Sequence, residues 1–219
     1  MTTFIRPDAN FDWLLDDVAR NAVAFDPNIV RENKLPKLVE AANNVPYQLK
    51  TLSRVRDNGS KLDLQYQECR HHDMVQHAPV LVELGQELGW QVRHHARRHK
   101  SCRDWEPNDL ALQRYRDGND HLGAHQDFTY DLYLNIVVTL EGYATVEVLD
   151  PTWEQVVRSY ETRPGSVFIL WSPSFDSGPD RRLPHRVYAP RTGRRTVAIF
   201  RMFSPTQLRR RDNGNEPNQ

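Results

Sequence analysis

Apolar positions recur at helical spacing in the first hundred residues and at strand spacing through most of the remaining chain. Over 13–23, Leu14, Leu15 and Val18 return on one side of a helix that Asn10 or Asp12 can cap. A second helix is expected over 35–42. The third, over 79–90, opens on Pro79 and sets Leu81, Leu84 and Leu88 on one face. Between the second and third, 47–67 is turn-rich around Asp57-Asn58-Gly59 and fits a hairpin. From about 109 the texture changes to β-branched and aromatic runs, at 110–116, 132–140, 144–149, 155–161, 166–171 and 195–203. Glu141-Gly142, Asp150-Pro151 and Pro164-Gly165 punctuate them as turns. Short strands spaced in this way predict a sandwich or a jelly-roll barrel. The expected fold is therefore α+β with a mainly β core. It forms one domain over 1–208, with a mostly helical part at 1–108 and a jelly-roll core at 109–205. A flexible polar tail is expected at 209–219.

Charge and composition narrow the classes of partner. The 219 residues carry 29 basic and 29 acidic groups, so no overall positive field draws the chain to nucleic acid or anionic lipid. No apolar run approaches the roughly 20 residues of a membrane helix. The first residues turn acidic soon after Arg6, without an apolar stretch or small-residue cleavage site, unlike a secretory signal. Cys69 and Cys102 make no disulfide framework and read as free thiols. A soluble, cytoplasmic domain is the expectation.

The histidines carry the candidate chemistry. His125 and Asp127 are two apart, so on a strand they face the same side and suit one cation. His185, just before the last expected strand, supplies a third ligand. Two histidines and one carboxylate on one side of a metal leave the opposite positions open, the facial triad of non-haem Fe(II) oxygenases. His71-His72-Asp73 repeats the H-x-D spacing, but it lacks the glycine turn and flanking strands of the first. With His77 it reads as a solvated loop or helix start. His94, His95 and His99 are interleaved with arginines, whose charge disfavours a cation.

Arg195 and Arg201 lie on the last expected strand, on the same face as Val197 and Ile199. A guanidinium pointing into an apolar barrel needs a partner. Its planar fork suits a carboxylate held through two parallel hydrogen bonds. Beside a metal triad, that partner is expected to be a carboxylate co-substrate.

Taken together, 112–127 (LQRYRDGNDHLGAHQD), Gly165-Ser166-Val167 with His185, and Arg195-x5-Arg201 resemble the Fe(II)/2-oxoglutarate-dependent oxygenases, and among them the AlkB-like branch. The resemblance covers a little under half of the chain. It implies a double-stranded β-helix, a cupin-like jelly roll, with Fe(II) held by His125, Asp127 and His185. It further implies that Arg195 and Tyr115 hold 2-oxoglutarate, with Arg201 beneath the near end of the co-substrate. The branch's usual asparagine before the tyrosine is Gln113 here, an amide that can serve the same co-substrate.

The implied reaction couples oxidation of a C–H bond by O2 to decarboxylation of 2-oxoglutarate to succinate and CO2. A small-molecule substrate, such as an amino acid or a specialised metabolite, is favoured. The nucleic-acid demethylases carry acidic residues directly after H-x-D, whereas Phe128 and Thr129 stand here, with the next acid at Asp131. Arg181 and Arg182, in the polar loop 172–183, are candidate contacts for a substrate anion. The alternative is oxidative demethylation of alkylated DNA or RNA. In its favour are the basic segment 93–103 and the aromatic groups Tyr66, Trp90, Trp105 and Phe128, which could stack on bases. A non-catalytic jelly-roll binding module is a third reading, opposed by the intact triad and arginine pair. Neither the oligomeric state nor the site of oxidation follows from the residues.

Overall fold

Asn10 starts the first helix by accepting a hydrogen bond from the Trp13 amide through its side chain. In this computed structural model, which describes residues 3–55, 61–70, 76–129, 131–175 and 179–212, that helix, α1, runs Phe11–Asn21 and buries Phe11, Leu14, Leu15 and Val18. It is followed by α2 (Leu35–Asn43), then by α3 (Pro79–His95), which buries Leu81, Leu84 and Leu88 as the spacing predicts. The helix α3 continues five residues past the expected end at 90, into the basic segment. His71, His72 and Asp73, like the Asp57-Asn58-Gly59 turn, lie outside the described residues.

The strands build a single twisted sheet that curls towards closure. From the first hundred residues come β1 (Val23–Asp26) and a hairpin of β2 (Gln48–Val55) and β3 (Lys61–Arg70). The later strands are β4 (Asp109–Arg116), β5 (His121–His125), β6 (Leu134–Glu141), β7 (Ala144–Leu149), β8 (Val156–Thr162), β9 (Val167–Trp171), β10 (His185–Val187) and β11 (Arg194–Arg201). Their order is β1-β9-β6-β11-β4-β3-β5-β10-β7-β8, with β2 paired on β3. This is the jelly-roll core expected from the strand pattern. The β strands of the N-terminal part are integral to it, since β3 joins β4 on one segment to β5 on the next. A last helix, α4 (Pro205–Asp212), continues into the stretch expected to be a frayed tail.

The alternation of side chains decides which face meets the helices. On β6 and β9, Ile136, Val138, Ile169 and Trp171 join the cluster that holds Leu14, Leu38 and Leu84 of the helices. Their neighbours Phe168 and Leu170 point the other way, into a second cluster with Val146 and Val148. With both faces covered, β9 is buried at every position. The inner face lines a cavity between the two halves of the sheet.

Among the described residues no helix is long and apolar enough to cross a membrane. Cys69 and Cys102 are both buried and form no disulfide with each other.

Candidate active site

The register of the antiparallel strands arranges the cavity floor in rungs. Opposite residues in an antiparallel pair share a face. Arg195 stands opposite Tyr115, Val197 opposite Gln113, Ile199 opposite Ala111 and Arg201 opposite Asp109. On the next strand Glu68 stands opposite Gln113, and Arg70 opposite Ala111. Val197 and Ile199 line the cavity with both arginines, as the strand periodicity predicts.

His125, at the end of β5, and His185, at the start of β10, are paired across the strands. Their rings lie 4.2 Å apart between centroids. Asp127 does not continue β5; it sits in the irregular segment just beyond it. Strand alternation therefore does not account for the pairing of His125 with Asp127, contrary to the expectation from their spacing. Their donor atoms nevertheless converge: Asp127 Oδ1 lies 3.8 Å from His125 Nε2 and 3.9 Å from His185 Nε2. One ligand atom from each of the three residues lies within 4.8 Å of the others.

The hydrogen bonds of this trio suit a cation. His125 Nδ1 lies 3.0 Å from the Gly123 carbonyl, and His185 Nδ1 3.2 Å from the Leu183 carbonyl. A carbonyl only accepts, so in each ring Nδ1 carries the hydrogen and Nε2 offers its lone pair towards Asp127. Such outer hydrogen bonds are what orients histidines at metal centres. Burial opposes ionisation of Asp127. The imidazoles of His185 and His125, the Asn135 amide and Arg201 outweigh it and hold the carboxyl below its ordinary value.

Arg195 is 2% exposed, and no carboxylate pairs with it among the described residues. Its Nε donates to Thr162 Oγ1 at 3.1 Å, and its guanidinium lies 5.6 Å from the Tyr115 ring centre. Burial pulls the guanidinium down to about 10, against a smaller opposing pull from Tyr115. Tyr115 donates to Gln113 Oε1 at 2.6 Å, so the two candidate co-substrate contacts are bonded to each other. A buried cation without a counter-ion, on the wall of a cavity, fits a carboxylate ligand. The residues present thus suit both a divalent metal and an anionic co-ligand.

Arg201 is placed differently from its partner on the strand. It holds Asp109 through Nε at 2.8 Å and Nη2 at 2.7 Å. Burial works against its charge, but Asp109, Asp131, Glu68 and Asp127 together raise its pKa. It is an internally compensated cation beside the triad.

The candidate substrate contacts scatter. Phe128 lines the cavity. Thr129 is exposed and is not on its wall. Asp131 is fully buried behind the triad, where its Oδ2 accepts from Asn135 Nδ2 at 2.7 Å. Arg181 turns away and donates to the carbonyls of Ala19 and Arg20 in the last turn of α1. Arg182 donates to the Asp127 carbonyl and pairs with Asp180. Both loop arginines therefore donate to the protein's own backbone. The residues missed in sequence are Asn135, Asp109, Thr162 and the Glu68–Arg70 pair, all joined to the site across strands.

No protein-family model matches the chain, and no curated protein matches it by sequence. Solved structures do match in shape. A 2OG-Fe(II) oxygenase family oxidoreductase from Burkholderia pseudomallei superposes with a TM-score of 0.58 at 14% identity, over 91% of this chain and 95% of its own. A prolyl hydroxylase from Trichoplax adhaerens, in complex with a hypoxia-inducible factor peptide, gives 0.60 at 10% identity, over 88% and 89%. A prolyl-4-hydroxylase from Pseudomonas putida gives 0.54 at 14% identity, over 89% and 99%. The chain thus has the double-stranded β-helix fold of the 2OG-Fe(II) oxygenases.

Proposed function

We propose that the protein is a non-haem Fe(II)/2-oxoglutarate-dependent dioxygenase that hydroxylates a C–H bond of a small molecule such as an amino acid or a specialised metabolite. The observation that carries this reading is the convergence of His125, Asp127 and His185 in one cavity with the uncompensated Arg195. Fe(II) bound with 2-oxoglutarate and O2 supplies an oxidant for C–H bonds as the co-substrate is decarboxylated to succinate and CO2.

The chain's own residues have separate tasks. His125, Asp127 and His185 hold the iron on one side, leaving the cavity side open. Arg195 takes the far carboxylate of 2-oxoglutarate, and the bonded pair Tyr115–Gln113 borders it. Arg201, already neutralised by Asp109, keeps a fixed positive charge beside Asp127. Apolar neighbours such as Val197, Ile199 and Phe168 exclude water and strengthen these electrostatic contacts. The catalytic unit on this reading is one domain spanning 1–208, because strands from both halves close the same sheet. A cytoplasmic setting suits two buried cysteines that are not joined in a disulfide.

A finer placement, in the AlkB-like branch with a nucleic-acid substrate, rests on the order of motif residues in 112–127 and 185–201. Several groups that would serve it are committed elsewhere. In the basic segment, His95 at the end of α3 pairs with Asp12 of α1 at 2.9 Å, and His99 just beyond α3 pairs with Asp16 of α1 at 2.8 Å. Arg98 approaches Asp16 as well, and Trp105 is fully buried with its indole N–H on the Leu134 carbonyl. These commitments favour the small molecule.

The deciding experiment is succinate production by anaerobically Fe(II)-loaded protein given 2-oxoglutarate and O2. It is run with buffer, with a methylated oligonucleotide, and with a pool of amino acids and related metabolites. Stimulation by the pool is expected. Stimulation by the oligonucleotide with release of formaldehyde identifies a demethylase instead. Absence of turnover together with absence of iron binding identifies a non-catalytic module.

A further inference from the structure

The two strands that carry the histidines stop pairing where the third ligand begins. Along β5 and β10, Leu122 stands opposite Val187 and His125 opposite His185, with a shift of register between them. Asp127 lies beyond the end of β5, in irregular backbone. Sheet register therefore sets the two imidazoles against each other but leaves the main chain at Asp127 to be fixed by other means.

Side chains take over at that point. Gln126 Nε2 donates to the Arg182 carbonyl at 2.7 Å, and Arg182 Nη1 donates back to the Asp127 carbonyl. The two bonds run in opposite directions between 126–127 and 182, and so close a ring much as a backbone pair would. Leu183, next to Arg182, supplies the carbonyl on which His185 Nδ1 is oriented. One clasp thus joins the segment that holds His125 and Asp127 to the segment that leads into His185.

The guanidinium is itself held in plane. Its Nε donates to Asp180 Oδ1 at 3.0 Å and its Nη2 to Asp180 Oδ2 at 2.5 Å. This fork occupies one side of the guanidinium and leaves Nη1 for the Asp127 carbonyl, a division that the single ammonium of lysine does not reproduce. The Arg182 side chain is 9% exposed, so water competes little for these bonds. Asn135 ties Asp127 at Oδ2, and Arg182 ties it at the main chain. With both ends held, Oδ1 is left facing the two imidazoles.

We propose that Arg182 and Gln126 are positioning residues of the metal centre: their reciprocal clasp locks Asp127 against the segment that carries His185, and so sets the geometry in which the three ligands meet a divalent cation. This rests on the oxygenase reading and adds the device that holds its ligands in place. Both residues act through main-chain carbonyls rather than as ligands.

The test reads metal binding and its spectrum, not turnover. Anaerobic protein is titrated with Mn(II) for affinity and with Co(II), whose visible absorption bands report coordination geometry. Arg182→Met should weaken Mn(II) binding about 10–100-fold, the range for loss of an outer partner of a ligand, and should shift the Co(II) bands. Gln126→Met should act in the same direction. The double variant should lose much less than the product of the two single losses, because either change alone opens the ring. Arg182→Lys should restore only part of the affinity. Arg181→Ala, which frees the same loop at its other anchor, should leave both readouts unchanged. Far-UV circular dichroism checks folding, and Gln126→Met carries the test where Arg182→Met does not fold.

Wild-type Mn(II) affinity and Co(II) bands in both methionine variants overturn the proposal. So does a loss that Arg181→Ala reproduces, which makes attachment of the loop alone responsible. A double variant that shows the full product of the single losses overturns it as well. Failure of the wild-type protein to bind either metal instead overturns the oxygenase reading, and the role of the clasp falls with it.

Discussion

Asn135 holds Asp127 and Asp131 with one amide group: its Nδ2 donates to Asp127 Oδ2 at 2.9 Å and to Asp131 Oδ2 at 2.7 Å. With Oδ2 tied back, Asp127 presents Oδ1 to both imidazoles. Asn135 is 1% exposed and lies on β6, so its position is set by the sheet. Asn135→Ala is expected to weaken Fe(II) binding about 10–100-fold, the usual cost of losing an outer-shell partner. Anaerobic metal titration measures it, with circular dichroism as the control for folding. Unchanged affinity would mean that the Asp127 carboxylate is oriented without this amide.

Among the described residues no carboxylate compensates Arg195, and this gives opposite expectations for stability and binding. A buried guanidinium without a carboxylate costs desolvation, and a well-packed apolar chain of similar length does not. Arg195→Met should therefore leave the Tm of the ligand-free protein unchanged or higher. The same change should weaken 2-oxoglutarate by about 30-fold or more, from the 2–5 kcal/mol of a truncated buried charge contact. Equilibrium binding in the presence of Mn(II) tests this without turnover. A lower Tm with intact 2-oxoglutarate binding contradicts the assignment.

Much of the fold and of the metal trio is legible in the residues, and the pattern of what is not is physical. The apolar runs that form β6, β9 and β11 show themselves because sheet burial demands apolar side chains over several residues. The triad shows itself because few residue types bind a metal, and Gly123 leads into His125. The partners of those groups are invisible because they arrive from distant strands. Asp109 is 92 residues from Arg201, and Thr162 is 33 from Arg195. Only strand order and register bring them together. Arginine in a loop carries no directional signal either, so Arg181 and Arg182 read as anion contacts while their guanidinium groups cap a helix and a loop carbonyl. The four residues of β1 are too few to show a period.

Arg181 fastens the loop before β10 to the C-terminal turn of α1, where the last carbonyls lack helical partners. Arg181→Ala should cost about 1–2 kcal/mol of stability, the value of two hydrogen bonds from a charged donor in a partly exposed setting. Denaturant unfolding measures it. Affinity for 2-oxoglutarate should not change, whereas a role in anion binding at the site would lower it without the loss of stability.

Burial lifts the Asp131 carboxyl to about 7, with Asp127 adding to the shift and Arg201 and Asn135 opposing it. A carboxyl raised in the folded state binds its proton more tightly there than in the unfolded chain. Between the ordinary carboxyl value, about 4, and pH 7 the unfolded state therefore holds fewer protons. Stability from this group falls as pH rises through that window and levels off above it. Asp131→Asn removes the titration while keeping the shape. The difference in Tm between wild type and variant should move in favour of the variant as pH rises from 4 to 7. A constant difference shows that Asp131 titrates normally.

Gly123 is where β5 comes closest to β3. A Cβ placed on it would lie 2.5 Å from the Asp63 carbonyl oxygen and 3.1 Å from the Asp63 nitrogen. Both are backbone atoms of a strand paired on its other edge with β2, so they cannot swing aside as a side chain can. The strands must separate instead, and the Gly123 carbonyl that orients His125 moves with them. Gly123→Ala should therefore cost about 1–3 kcal/mol through overpacking. Fe(II) affinity should fall as well, because the imidazole loses the acceptor that fixes its tautomer and direction. Thermal unfolding and metal titration on the same variant separate the two effects. If Tm falls while Fe(II) affinity holds, the strand contact matters for packing alone, and the placement of His125 depends on its pairing with His185.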